Sequence, residues 1–115
     1  MTTPEKAKGS QWERDVAKYI VERGHEAAER RYGAGNTMDK GDINGLAKIV
    51  IECKNVKSIT LSTIMAETMR EQENAKADYG IAVIKRRNKG AAHAYAVMTL
   101  EQLISLLQEA NRIDR

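Results

Sequence analysis

Apolar residues recur along the chain with two periods, one helical and one extended, and their alternation orders the elements. Trp12, Val16, Tyr19 and Ile20 are spaced as one side of a helix. Ser10 with Glu13 three residues on has the form of a capping box, and Gly24 supplies a stop, so the first helix is predicted over about 11–23. A strand at about 26–31 follows. Next come a turn-rich loop holding Gly33, Gly35, Asn36 and Gly41, and a short strand near 42–46. Lys48 to Lys54 has a β-branched centre and reads as a buried strand, with Asn44-Gly45 as the hairpin signal before it. Ser62 opens a second helix to about Ala77, with Ile64, Met65, Thr68, Met69 and Gln72 along one side. Tyr79–Lys85 and Ala94–Met98 read as strands. Thr99 then caps a final amphipathic helix to about Ala110, whose Leu100, Leu103, Ile104 and Leu107 are expected inward.

The helix between the third and fourth strands is a crossover long enough for that pair to be parallel. The first three strands are close enough in sequence for an antiparallel meander. The expected class is therefore α/β, a mixed central sheet flanked by helices, in one domain spanning 1–115 with residues 1–8 flexible. Composition refines this in a few respects. With no Phe and one Trp, aliphatic side chains must fill the core. No apolar run is long enough to cross a bilayer, residues 1–8 lack the apolar stretch of a secretory signal, and the lone Cys53 suits a reducing compartment. The expectation is a cytoplasmic protein without a membrane partner. The net charge of +3 is modest, but residues 85–95 carry Lys85, Arg86, Arg87 and Lys89 with no acidic residue. Such a local excess concentrates phosphates. The same run lacks flanking aromatic residues, and a solvated loop is the competing reading.

The third strand carries the candidate chemistry. Alternation puts Val50, Glu52 and Lys54 on one face and Ile49, Ile51 and Cys53 on the other. Glu52 and Lys54 thus point the same way at the end of an apolar strand. Asp42 opens the preceding strand, and a hairpin turning near Ala47 brings it beside Glu52. Two adjacent carboxylates are unfavourable unless a cation lies between them. Hard oxygen ligands without a Cys/His cluster favour Mg2+, with Mn2+ able to substitute. A lysine beside such an ion can polarise water or hold phosphate, an assembly suited to phosphodiester hydrolysis. Glu13 lies between Ile20 and Ala17 on the helical wheel, so it either points at this site or completes the Ser10 cap. Asp39 is a rival for the aspartate.

Gly41-Asp42-Ile43, nine intervening residues and Glu52-Cys53-Lys54 resemble the Asp…Glu-X-Lys signature of the PD-(D/E)XK nucleases, whose fold is restriction-endonuclease-like. Lys6, Gly9, Glu13 and Arg14, with the Gly33-Ala34-Gly35 loop, extend the likeness to archaeal-type and phage Holliday junction resolvases over about residues 6–86. Gly41 stands where the superfamily name has proline. The resemblance implies a catalytic set of Glu13, Asp42, Glu52 and Lys54, with the Cys53 carbonyl as a further metal ligand. It also implies a homodimer that makes paired incisions in four-way DNA junctions.

The leading expectation is a metal-dependent, structure-specific DNA endonuclease of recombination and repair. A restriction or repair nuclease of the same fold is the second class, and a non-catalytic DNA-binding module the third. Arg30 and Arg31 are candidate phosphate contacts or surface charges, as are Arg86, Arg87 and Lys89. Glu67 and Gln72 are candidates to approach the site from the second helix. Cys53 is expected inside, and neither His25 nor His93 has a partner at metal spacing. The Ile64, Met65 and Met69 stripe reads as core or as subunit interface, with the final helix as the other candidate interface.

Overall fold

A computed structural model describes residues 3–26, 28–30 and 41–115. The expectations for Arg31, Gly33-Ala34-Gly35 and Asp39 lie outside the described residues. The chain forms a small α/β domain: α1 (Pro4–Glu22), β1 (Glu29–Arg30), β2 (Ile43–Asn44), β3 (Ile49–Lys54), α2 (Leu61–Ala75), β4 (Tyr79–Ile84), β5 (Tyr95–Val97) and α3 (Leu100–Glu109). None of its helices is long and apolar enough to cross a membrane, among the described residues.

The first helix starts two turns before the expected position. Thr3 is its cap, accepting from the Lys6 N–H at 3.2 Å, and Pro4 occupies the first turn. Glu5, Lys6, Ala7 and Lys8 are good helix formers, so a segment expected to be flexible extends the helix. Ser10 is consequently inside the helix and caps nothing.

The expected antiparallel meander also divides. β1 and β2 form a separate two-residue antiparallel pair, while β3-β4-β5 is a mixed sheet with β3 and β4 parallel and β5 antiparallel to β4. Gly41 and Gly45, with φ of +94° and +90°, bend the chain on either side of β2 and leave it too short for a ladder with β3. The Asp42 N–H to Ile51 carbonyl bond, 2.8 Å, links the two units instead.

Two cores flank the sheet. Trp12, Val16 and Ala17 of α1 pack with Ile43, Ile51 and Cys53 on one face. Ile64 of α2 packs with Ala82 and Ile84 on the other, with Met65 and Val97 against them. Ile64 and Met65 of the α2 stripe are thus core, and Met69 is half-buried. The final helix departs from its expectation: Leu100 is 71% exposed and Leu103 and Ile104 are also exposed, while Leu107 is half-buried. Gln102 is buried there in their stead. The register places Ala82 opposite Val97, so β5 turns into α3 before it can reach Gly80. The Gln102 amide stands in for the missing strand: its Oε1 accepts from Gly80 N–H at 2.7 Å and its Nε2 donates to Gly80 O at 3.4 Å.

This substitution of a side chain for a strand makes a stability prediction. Gln102→Ala should cost about 1–3 kcal/mol by leaving buried backbone groups unpaired, whereas Leu100→Ala should cost under about 0.5 kcal/mol. Urea denaturation of the two variants measures the difference, and equal costs would refute the role of the amide.

Candidate active site

β3 has two edges, and each is used. One pairs with β4. Along the other, Asp42 lies beside the strand: its N–H reaches the Ile51 carbonyl, and its Oδ2 accepts from the Cys53 N–H at 2.8 Å. That close approach depends on Gly41. A Cβ at Gly41 would meet Val50 Cγ1 at 2.8 Å and the Ile51 carbonyl oxygen at 3.0 Å. Proline, whose ring holds φ near −65°, could not take the +94° adopted there, which accounts for glycine at this position.

Glu52 is 3% exposed, on the α2 side of the sheet. Burial, then hydrogen-bonding contacts with Asp42 and Glu71, the Asp42 charge and Glu67 together push its pKa far above the carboxylate range. Without a cation its carboxyl therefore holds a proton. Glu67, one turn from the buried Ile64, forms an ion pair with Lys54, Nζ to Oε2 at 3.0 Å. Burial works against the charge on Lys54, but the hydrogen bond to Glu67 and the charges of Glu52, Glu67 and Asp42 outweigh it and raise its pKa. For Glu67, burial is outweighed by hydrogen bonds from Glu52 and Lys54 and by the Lys54 and Arg70 charges, so its pKa falls. Glu52, Glu67 and Glu71 each place one oxygen within 4.8 Å of the others, a set able to hold a metal ion. All of these donors are hard oxygens, the kind that suits Mg2+ or Mn2+.

The expected residues are thus brought together unevenly. Asp42, Glu52 and Lys54 converge. Glu13 instead accepts from Arg30 Nε at 2.7 Å, and Arg30 Nη2 donates to Ser10 Oγ at 3.0 Å. Arg30 therefore engages α1, and the reading of Glu13 as a capping residue is replaced by an ion pair. Cys53 packs inside as expected, and burial followed by the Asp42, Glu13, Glu52 and Glu71 charges raises its thiol pKa well above the ordinary value. In an extended strand the N–H and C=O of one residue leave from the same edge, so the Cys53 carbonyl points to the Asp42 side. Gln72 does not join the site; its amide donates to the Ala77 and Asp78 carbonyls at 3.3 and 3.0 Å. Glu71 was missed in the sequence, although Ile64, Thr68 and Glu71 share one helical face and all three are buried.

The basic run forms a turn at the same end of the sheet. The Lys85 N–H donates to the Lys54 carbonyl at 2.9 Å, and Arg87 and Lys89 are exposed. Compared with known protein families, characterised proteins and solved structures, the chain matches none.

A pH dependence follows from the buried carboxyl. Because folding raises the Glu52 pKa above its ordinary 4.5, the folded chain binds this proton more tightly than the unfolded chain. Its contribution to metal-free stability is full below that value and is lost progressively as pH rises, at up to about 1.4 kcal/mol per unit. In EDTA, Glu52→Gln should melt above the wild type by a margin that widens from about pH 5 to about pH 8. A constant margin, or a variant that melts lower at the upper pH, would mean that Glu52 ionises at little cost.

Proposed function

We propose that the chain is a metal-dependent DNA endonuclease of the PD-(D/E)XK kind, with a restriction-endonuclease-like fold, and that it resolves four-way junctions. The observation that carries this reading is the convergence of Asp42, Glu52 and Lys54 at one end of β3, with Asp42 bonded to the Cys53 N–H along the edge away from β4. Asp42, Glu52 and the Cys53 carbonyl would hold Mg2+, for which Mn2+ could substitute. When bound, the ion supplies a polarised water and neutralises charge on the phosphate.

The chain's own residues do the rest. Asp42 is oriented by the Cys53 amide. Glu52, kept neutral first by burial and then by Asp42 and Glu71, would release its proton to solvent on becoming a ligand. Lys54, kept charged by its acidic neighbours and facing the same side as Glu52, would hold a phosphate oxygen or polarise water. The resemblance would add Glu13 to this set; in the metal-free chain it is paired with Arg30 on the α1 side. Arg86, Arg87 and Lys89, on the turn whose Lys85 N–H bonds the Lys54 carbonyl, would contact the DNA backbone.

Incubating the protein with labelled four-way junctions, duplex and single strands tests the proposal. Magnesium-dependent cleavage of the junction is expected, and Asp42→Asn or Glu52→Gln should abolish it while leaving DNA binding equal or tighter. Near-normal cleavage by either variant would overturn the site, and equal cutting of plain duplex would leave only a general nuclease.

Resolution of a junction needs two symmetric cuts and hence two copies of the site. Of the two candidate interfaces, the α2 stripe has Ile64 and Met65 taken up in the core, while Leu100, Leu103 and Ile104 of α3 are exposed. The proposed homodimer therefore uses α3. Light scattering should give a dimer at micromolar concentration and a monomer for Leu100→Glu combined with Ile104→Glu. A dimer that survives both substitutions would move the interface elsewhere.

A further inference from the structure

By sequence the basic run is read as lacking flanking aromatic residues, but Tyr95 ends that stretch and the sheet returns it to the turn. Lys54 lies opposite Ile84, and Ile84 opposite Tyr95, so the three residues form a row across β3, β4 and β5 at one end of the sheet. Register partners share a face, and Ala82, Ile84 and Val97 pack on the α2 side with Ile64, so Tyr95 is on the face that carries Glu52 and Lys54. Two strand spacings separate the Lys54 and Tyr95 backbones by roughly 10 Å. That is about three nucleotide steps along one stacked DNA strand.

Tyr95 is 56% exposed, while Trp12 and Tyr79 are buried and Tyr19 is half-buried. Its ring is packed against a cation, the Arg86 guanidinium, 4.8 Å from the ring centre. Arg86 Nη1 also donates to the His93 carbonyl at 3.4 Å. The turn behind it is braced by Lys85, whose Nζ donates to the carbonyls of Arg86 and Lys89 at 3.3 and 3.0 Å. The ring is thus held in place without being covered, and Arg86, which holds it, begins the turn that carries the exposed Arg87 and Lys89. Aromatic rings flanked by cations are what hold unpaired nucleobases, because every base has a face to stack and a phosphate next to it.

We propose that Tyr95, braced by Arg86, is a stacking site for an unpaired nucleobase of the DNA strand that enters the active site. The inference rests on the nuclease reading and narrows its substrate to DNA with unpaired or unstacked bases near the point of cleavage. Backbone contacts by Arg87 and Lys89 would serve every DNA shape alike, whereas the ring discriminates in favour of an exposed base.

Binding in EDTA to oligonucleotides carrying 2-aminopurine at an unpaired position, compared with the same base inside a duplex, tests the site. Tyr95→Ala should weaken binding to the unpaired substrate roughly 5- to 150-fold and abolish the quenching that stacking produces, with little change on the duplex. Tyr95→Phe should retain both properties. Tyr95→Thr, whose branched side chain suits a strand, repeats the test should alanine disturb folding. Unchanged affinity and quenching in the alanine and threonine variants would overturn the inference, as would an equal loss on duplex and unpaired DNA. Should the wild type bind no DNA, the nuclease reading falls as well. Should cleavage depend on Asp42 while the Tyr95 variants bind as the wild type does, only the stacking site falls.

Discussion

The Glu52 carboxyl is withdrawn from water among Asp42, Glu67 and Glu71, and the surrounding architecture answers to the cost of that placement. Ionised and unneutralised, a carboxylate in such a position would be destabilising by several kcal/mol. The folded chain lowers that cost by keeping a proton on Glu52; in the proposed function a cation would do the same by making the carboxylates its ligands. Lys54 serves both conditions, because its ion pair with Glu67 neutralises one of the competing carboxylates. The acidic cluster and the lysine are therefore a single electrostatic unit drawn from three places in the chain.

β3 makes that unit possible by having different neighbours on its two edges. Parallel pairing with β4 fixes the position of its end, and α2, which connects the two strands, lays Glu67 and Glu71 over it. On the other edge Asp42 replaces what would be a paired strand. The glycine preceding it is needed because a side chain would collide with Val50 and the Ile51 carbonyl. The same economy recurs at β4, where the Gln102 amide completes hydrogen bonding that β5 is too short to reach. Side chains thus finish the sheet at both places where the backbone leaves it, which lets three strands present a site at one end.

That end also gathers the features suited to nucleic acid. Parallel register brings the basic turn after β4 beside Lys54, and antiparallel register returns Tyr95 to Arg86. α3 is built on a different principle. Its apolar side is left outside the core while a polar residue, Gln102, is the one buried.

Local pattern determined the order of elements, the parallel crossover, the burial of β3 and the juxtaposition of Asp42 with Glu52 and Lys54. These depend on period, turn chemistry and the alternation of a strand, all of which act over a few residues. The extent of α1 was hidden because its first turns are polar, so helix propensity and the Thr3 cap leave no hydrophobic period to read. The rest required the tertiary structure. A capping box at Ser10 and Glu13 and an ion pair with Arg30 use the same side chains, and only packing chose between them. Glu71 looked like one more charge on a helix until α2 was laid on the sheet. The apolar period of α3 identified a helix with one greasy side, but amphipathicity does not say which surface that side meets. Tyr95 and Arg86 are separated along the chain by the whole turn, and only strand register makes them neighbours. Pairings of this sort depend on contacts between distant segments, whose energies no local window of sequence contains.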